Sequence, residues 1–119
     1  MKILEVLNKK WVLPLLSIFW NDPSPLRFSE LEIKMKEEAK EKISAKVLSE
    51  RLSELTQLAI IVREKDFFNP KFVQYYLTDF GQELKNLINY LMNYEEELLN
   101  SERLELYEQV KFRETAMVS

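Results

Sequence analysis

The side chains available for chemistry in this chain are hydroxyls, carboxylates, lysines and arginines. Its 119 residues include no histidine and no cysteine, and the single glycine is Gly81. Histidine is the commonest general base and metal ligand, cysteine supplies thiolates, and glycine-rich loops bind phosphates. A run of three carboxylates, Glu95–Glu97, points in three directions on a helix and does not form one metal site. We therefore expect no enzymatic activity, no metal and no cofactor.

The densest set of polar side chains lies on a helix predicted to begin after Ser44, its N-cap. Apolar residues three and four positions apart follow the cap, which places them on one side of the helix: Val47, Leu48, Leu52, Leu55 and Leu58. The opposite face carries Lys46, Ser49, Glu50, Ser53 and Gln57. Such a face either remains in water or contacts a polar partner.

The segments before this helix position it. Trp11–Trp20 is predicted to be a strongly apolar helix, central in the core or shared with a partner chain, and the prolines at 23 and 25 end it. Leu26–Phe28 is long enough for a minimal strand. Ser29 is the predicted N-cap of the next helix, which extends at most to about Lys42. The charged residues 36–42 fit either a helix end or a loop.

The segments after it form a predicted hairpin and a long helix. Ile60–Arg63 is β-branched and favours a strand, residues 67–71 form the tip, and residues 72–77 return as the second strand. Thr78 is the next predicted cap. Apolar residues then follow at spacings typical of a heptad seam: Phe80, Leu84, Leu87, Leu91, Tyr94 and Leu98. A second amphipathic segment is predicted over residues 99–110.

In this order, the segments resemble the HxlR-type winged helix-turn-helix transcriptional regulators, relatives of the MarR group. The resemblance covers about residues 8 to 91. It is carried by Lys10–Trp11, Arg27–Leu31, Val47–Leu55, Arg63 and Tyr76–Thr78, with Gly81 and Leu84. It implies an α+β, mostly helical fold: a winged helix-turn-helix with a long C-terminal dimerisation helix. We expect a single domain over 1–119, with its core in 8–79 and dimerisation elements in 1–11 and 79–112.

One departure from the family concerns the turn that follows the 44–58 helix. The family usually has glycine there, whereas this chain has Ala59. A left-handed backbone at this position would cost alanine about 1 kcal/mol. A different turn is therefore an alternative.

The resemblance implies sequence-specific binding of double-stranded DNA by a homodimeric transcription regulator. The 44–58 helix would enter the major groove, and its expected contacts are Ser44, Ala45, Lys46, Ser49, Glu50, Arg51 and Ser53. Arg51 fits a phosphate contact and an ion pair with Glu30 or Glu54 equally well. The expected wing contacts are Arg63, Lys65 and Lys71; for Lys65, surface charge without a partner fits equally well.

Five aromatic residues have simpler interpretations than ligand or DNA contact. Trp11, Phe19 and Trp20 could line a pocket, but core or dimer packing is favoured. Phe67 and Phe68, at the predicted tip, are interpreted as packing residues rather than intercalating wedges.

The charge distribution permits DNA binding without establishing it. The net charge is −3, yet residues 1–77 hold 13 Lys/Arg and 11 Asp/Glu, while residues 78–119 hold 4 and 9. The local field is what a polyanion meets, and here it is only weakly positive. A winged helix that contacts proteins alone is the alternative. No targeting or membrane segment is evident, so we expect a cytoplasmic protein; an effector is compatible with the sequence but not identified by it.

Overall fold

The helices and strands follow the predicted order. The computed structural model describes residues 2–100, 105, 106, 108–111 and 113. The elements are α1 (Lys2–Leu7), α2 (Val12–Asn21), β1 (Leu26–Arg27), α3 (Phe28–Ala39), α4 (Ala45–Gln57), β2 (Ile61–Lys65), β3 (Val73–Leu77) and α5 (Asp79–Leu99). Two compact units are formed, 1–84 and 85–119, and α5 belongs to both. In the predicted segment 99–110, residues 105, 106 and 108–110 are helical, whereas 101–104 and 107 lie outside the described residues.

The strands form one antiparallel sheet in the order β1-β3-β2. Leu26 of β1 is paired with Tyr75 of β3, and Arg63 of β2 is paired with the same tyrosine from the other side. The β2–β3 hairpin is the wing, and α3 with α4 forms the helix-turn-helix. The predicted α+β, mostly helical winged helix-turn-helix with a long C-terminal helix is thus confirmed.

The apolar helix α2 supplies much of the core of the first unit. Its buried residues are Val12, Leu15, Leu16, Ile18 and Phe19, so the interpretation of Phe19 as a packing residue is confirmed. Trp20 is half-buried, and its indole N–H donates a hydrogen bond to the Gly81 carbonyl at 3.1 Å. That bond joins the end of α2 to the first turn of α5.

The predicted beginning of α3 is wrong by two residues. The helix starts at Phe28 rather than after Ser29, and Arg27 occupies the N-cap position. The Glu30 carboxylate accepts the Arg27 backbone N–H at 3.0 Å, which satisfies a donor that a serine hydroxyl would not reach. The helix ends at Ala39, and Lys40 adopts a left-handed conformation with φ of 54°. Of the charged residues 36–42, residues 36–39 therefore form the end of the helix, and residues 40–42 belong to the connection that leads to Ser44.

Both ends of α4 are fixed by local hydrogen bonds. The predicted cap is confirmed, since the Ser44 hydroxyl accepts the Val47 N–H at 3.1 Å. At the other end, the Ala59 N–H donates to the Thr56 carbonyl and the Ile60 N–H donates to the Leu55 carbonyl, both at 3.0 Å. These two bonds form the Schellman motif, in which the first residue after the C-cap adopts a left-handed conformation.

Ala59 adopts the conformation that the family usually assigns to glycine. Its φ is 58°, so the left-handed turn of the family is kept and the alternative of a different turn is wrong. The Schellman bonds and the burial of Leu55 and Ile60 on the apolar side of the turn offset the local strain.

We predict that Ala59→Gly raises the free energy of unfolding by about 0.5–1 kcal/mol, because glycine adopts this φ without a Cβ clash. Ala59 is exposed, so its methyl group is not part of the core. Thermal and urea melts measure the change. Ala45→Gly, at the first residue of α4, where the backbone is helical, is the matched control and should not raise stability. A lower melting temperature for Ala59→Gly would contradict the strain argument.

Candidate nucleic-acid interface

The exposed face of α4 is the centre of the candidate site. Leu48, Leu52 and Leu55 are buried and anchor the helix. The side chains that the sequence predicted to face outward are all exposed, as are the cap Ser44 and its neighbour Ala45: Lys46, Ser49, Glu50, Ser53 and Gln57. A single lysine and a single carboxylate leave this face nearly neutral. Its hydroxyls and charged groups suit hydrogen bonding to base edges more than a general attraction to phosphate.

A cleft joins this face to the wing. It has a volume of about 280 Å³ and is lined by Ser49, Ser53, Thr56, Gln57, Arg63 and Tyr75. The pairing of Arg63 with Tyr75 places both on the sheet face that is directed toward α4. Arg63 therefore lies beside the outward residues of α4, as the predicted site requires.

Three of the residues that line this cleft were not among the predicted DNA contacts. Gln57 stands four residues after Ser53 on the same helix face, so its spacing carried a usable signal. Thr56 donates its hydroxyl to the Leu52 carbonyl at 2.7 Å and has a structural role. Tyr75 is mostly buried, and only the strand register shows that it reaches the cleft.

Arg51 is held in an ion-pair cluster on the flank of α4. Its Nη1 donates to Glu54 at 2.6 Å and its Nε donates to the Lys10 carbonyl at 3.1 Å. Lys9 Nζ lies 2.7 Å from the other Glu54 oxygen. Of the two interpretations of Arg51, the ion pair with Glu54 is the one observed, and it ties the α1–α2 connection to α4.

The electrostatics of Glu54 are consistent with this structural role. Burial alone would raise the pKa of its carboxyl group. The hydrogen bonds from Lys9 and Arg51, with their charges, outweigh burial and lower the pKa below its ordinary value. The carboxylate is therefore ionised at neutral pH and offsets one of the two positive charges, so the cluster of Lys9, Glu54 and Arg51 keeps a net charge of +1.

The wing carries the remaining predicted contacts. Arg63, Lys65 and Lys71 are all exposed. On the face that bears Val62 and Tyr76, the Tyr76 hydroxyl donates to Glu64 at 2.8 Å, and this bond raises the pKa of Tyr76. The Arg27 guanidinium lies 4.2 Å from the centre of the Phe72 ring. Arg27 is thus an additional cation at the wing. The sequence placed it in the first predicted strand but not among the expected DNA contacts.

The packing interpretation of the two tip phenylalanines is wrong. Phe67 is 90% exposed and Phe68 is 92% exposed. The hairpin turns before either ring can reach the core. Their one described ring contact is with each other.

Neither a metal site nor a membrane-spanning helix is found in the described part of the chain. No group of three or more acidic side chains there is arranged to hold a metal ion. The described helices also include none that is both long enough and apolar enough to cross a membrane.

The fold and this arrangement of α4 and wing define the class of winged helix-turn-helix proteins. The pattern of the HxlR-like helix-turn-helix family matches residues 6–103. The chain belongs to this family of transcriptional regulators.

Individual relatives agree with this assignment. The chain is 34% identical over 87 residues to the HTH-type transcriptional regulator YvaP of Bacillus subtilis (strain 168), which covers 73% of this chain and 74% of YvaP. Among solved structures, it is similar to the reduced form of the transcriptional regulator YodB from B. subtilis, with a TM-score of 0.62, 27% identity, and 80% and 86% of the two chains covered. A MarR-family regulator from Enterococcus faecalis V583 gives a TM-score of 0.64, 26% identity, and coverages of 92% and 86%.

Proposed function

We propose that this protein binds a pseudo-palindromic site in duplex DNA as a homodimer, with α4 in the major groove and the wing on the adjacent backbone. The observation that carries the proposal is the exposed polar face of α4 beside Arg63. The apolar side of the helix is fully used by the core, so this face is available for a partner.

The geometry of α4 supports direct contact with bases. In helix-turn-helix proteins, the first residues of the second helix reach base edges. Here those residues are Ala45, Lys46 and Ser49. A lysine can donate to guanine, a serine can pair with several bases, and an alanine methyl group can contact the thymine methyl group. Glu50 is suited to accept a hydrogen bond from cytosine N4.

The wing cations support a second, less selective contact. Arg63, Lys65 and Lys71 are exposed, and basic wing residues suit phosphates and the minor groove. Arg51 is held by Glu54 and the Lys10 carbonyl, so it is expected to contribute less to affinity than these three residues.

The exposed apolar side chains of α5 support the homodimer. Leu87 is 55% exposed and Leu91 is 65% exposed, and Tyr94 follows on the same seam. An apolar stripe of this kind on a helix usually marks an interface. Two-fold symmetry then places two recognition helices about 34 Å apart, one turn of duplex.

Selection of bound sequences from a random DNA pool tests the proposal as a whole. We expect enrichment of a two-fold symmetric sequence with half-sites one helical turn apart. If no sequence is enriched, and the selected pool is bound as weakly as random duplex, sequence-specific recognition is excluded.

A protein-binding winged helix is the second candidate, and the exposed carboxylate of Glu50 on the α4 face favours it. The two functions differ in their salt dependence. Phosphate contacts release counterions, so DNA affinity falls steeply as salt rises. An affinity for DNA that is weak and insensitive to salt would favour the protein-binding function.

We predict that Lys46→Ala and Ser49→Ala each weaken binding to the selected duplex, by about 1–3 kcal/mol for a true base contact. The variants should remain folded, because both side chains are exposed. Anisotropy titrations at fixed salt measure the loss. Lys2→Ala removes an equal charge from α1 and is the control. Unchanged affinity in both α4 variants would remove α4 from the recognition role.

We predict that Arg63→Ala and Lys71→Ala weaken binding to selected and random duplexes alike. Phosphate contacts do not depend on sequence, so each loss should lower the slope of log affinity against log salt by roughly one unit. Titrations over a range of salt concentrations provide both quantities. A loss that is restricted to the selected duplex would show that these residues read bases instead.

We predict that Leu87→Asp with Leu91→Asp converts a dimer into a monomer, because carboxylates in an apolar seam lose their solvation without a partner. Analytical ultracentrifugation and DNA titration measure the two consequences. Asn89→Asp with Asn93→Asp adds the same charges at the same spacing on the other side of α5 and should change neither. A wild-type monomer at micromolar concentration contradicts the model, as does a monomeric variant that binds the palindrome with wild-type affinity.

A further inference from the structure

The wing tip presents two adjacent phenylalanines to solvent. Phe67 and Phe68 are 90% and 92% exposed, and their ring centroids lie 5.2 Å apart with the planes at 86°. Burial of a phenylalanine stabilises a folded chain, and the wing obtains almost none of this stabilisation. Two such side chains side by side form an apolar point that suits a partner.

The loop that carries the rings is fixed by its own polar side chains. One Asp66 carboxylate oxygen accepts the N–H groups of Phe68 at 2.8 Å and Asn69 at 3.2 Å. The Asn69 side-chain oxygen accepts the Lys71 N–H at 3.2 Å. The Asp66 N–H donates to the Phe72 carbonyl at 2.8 Å and closes the hairpin. The backbone that carries the rings is therefore ordered before any partner binds, which lowers the entropic cost of using them.

The charges around the rings favour a polyanionic partner. Lys65 precedes the tip and Lys71 follows it, both exposed, and Arg63 lies two residues before Lys65 on the same strand. Two carboxylates lie among these cations: Glu64 accepts the Tyr76 hydroxyl and Asp66 accepts the loop N–H groups, so the three cations and two carboxylates leave a net charge of +1. An apolar point beside cations matches the DNA minor groove, whose rims are phosphates and whose floor is the edges of the base pairs. Architectural proteins insert phenylalanine, leucine or methionine there.

We propose that the Phe67–Phe68 pair is an apolar wedge that enters the minor groove beside α4 and partly unstacks one base step. Because the two planes are nearly perpendicular, only one ring can lie parallel to the bases. The other ring then lies against the sugars of the groove wall. The inference rests on the proposed DNA binding and adds an indirect recognition of sequence, since flexible pyrimidine–purine steps deform most easily.

The test uses a duplex recovered from the random pool, with 2-aminopurine placed at successive adenines outside the bases that face α4. Wild-type protein should raise the fluorescence at one step in each flank, where stacking is lost. Phe67→Ala with Phe68→Ala should abolish the rise and weaken binding about tenfold. Phe67→Leu with Phe68→Leu keeps an apolar wedge and should retain most of both effects.

Ile33→Ala is the control, because Ile33 is another exposed apolar side chain, 62% exposed, that belongs to α3 and not to the wing. It should leave affinity and fluorescence unchanged. Equal affinity and an unaltered fluorescence profile in the double alanine variant would overturn the wedge, and so would a wild-type protein that gives no position-specific rise. Either result leaves DNA binding intact. If wild-type protein enriches no duplex at all, the proposed function itself fails.

Discussion

The structure of the first unit depends on a junction of hydrogen bonds around the carbonyl group of Ile60. The Thr78 N–H donates to it at 3.1 Å, and the Thr78 hydroxyl lies 3.0 Å from it and 2.6 Å from the Ala59 carbonyl. The same hydroxyl accepts the Gly81 N–H at 2.9 Å and caps α5. A Cβ atom at position 81 would lie 2.3 Å from the Ile60 oxygen, so this close approach requires glycine. The end of α4, both strands of the wing and the start of α5 meet at this point.

This junction sets the geometry of the proposed binding site. The polar face of α4 and the cations of the wing belong to elements whose ends are hydrogen-bonded together, so their separation does not depend on a partner. On the other flank of α4, Glu54 offsets one of the two positive charges of Lys9 and Arg51. On the wing side, Arg63 adds a positive charge beside the polar face. Preorganised groups of this kind provide orientation and selectivity more than overall attraction.

The sequence predicted the elements well, because they depend on local periodicity and capping. The leucines of α4, the cap at Ser44 and the strand pair all follow from spacing and residue type. The start of α3 could not be predicted in this way, since Glu30 reaches back to Arg27 and displaces the serine expected to cap the helix. The ion pair of Arg51 with Glu54 was one of two interpretations that the sequence left open, and the contacts of these residues with Lys9 and Lys10 could not be predicted from local spacing. The exposure of Phe67 and Phe68 required the length and direction of the wing, which residue types alone do not specify.

The pairing of the two-residue strand β1 with β3 has a consequence for how the chain folds. Leu26 meets Tyr75 only after α3, α4 and β2 have been traversed, so this contact closes a loop that contains the entire helix-turn-helix. Contacts between residues distant in sequence are entropically costly and form slowly. The helices and the hairpin can form early from local interactions, whereas the short strand is expected to join last. The unit therefore acquires its final rigidity in a late step that locks the helix-turn-helix against the wing.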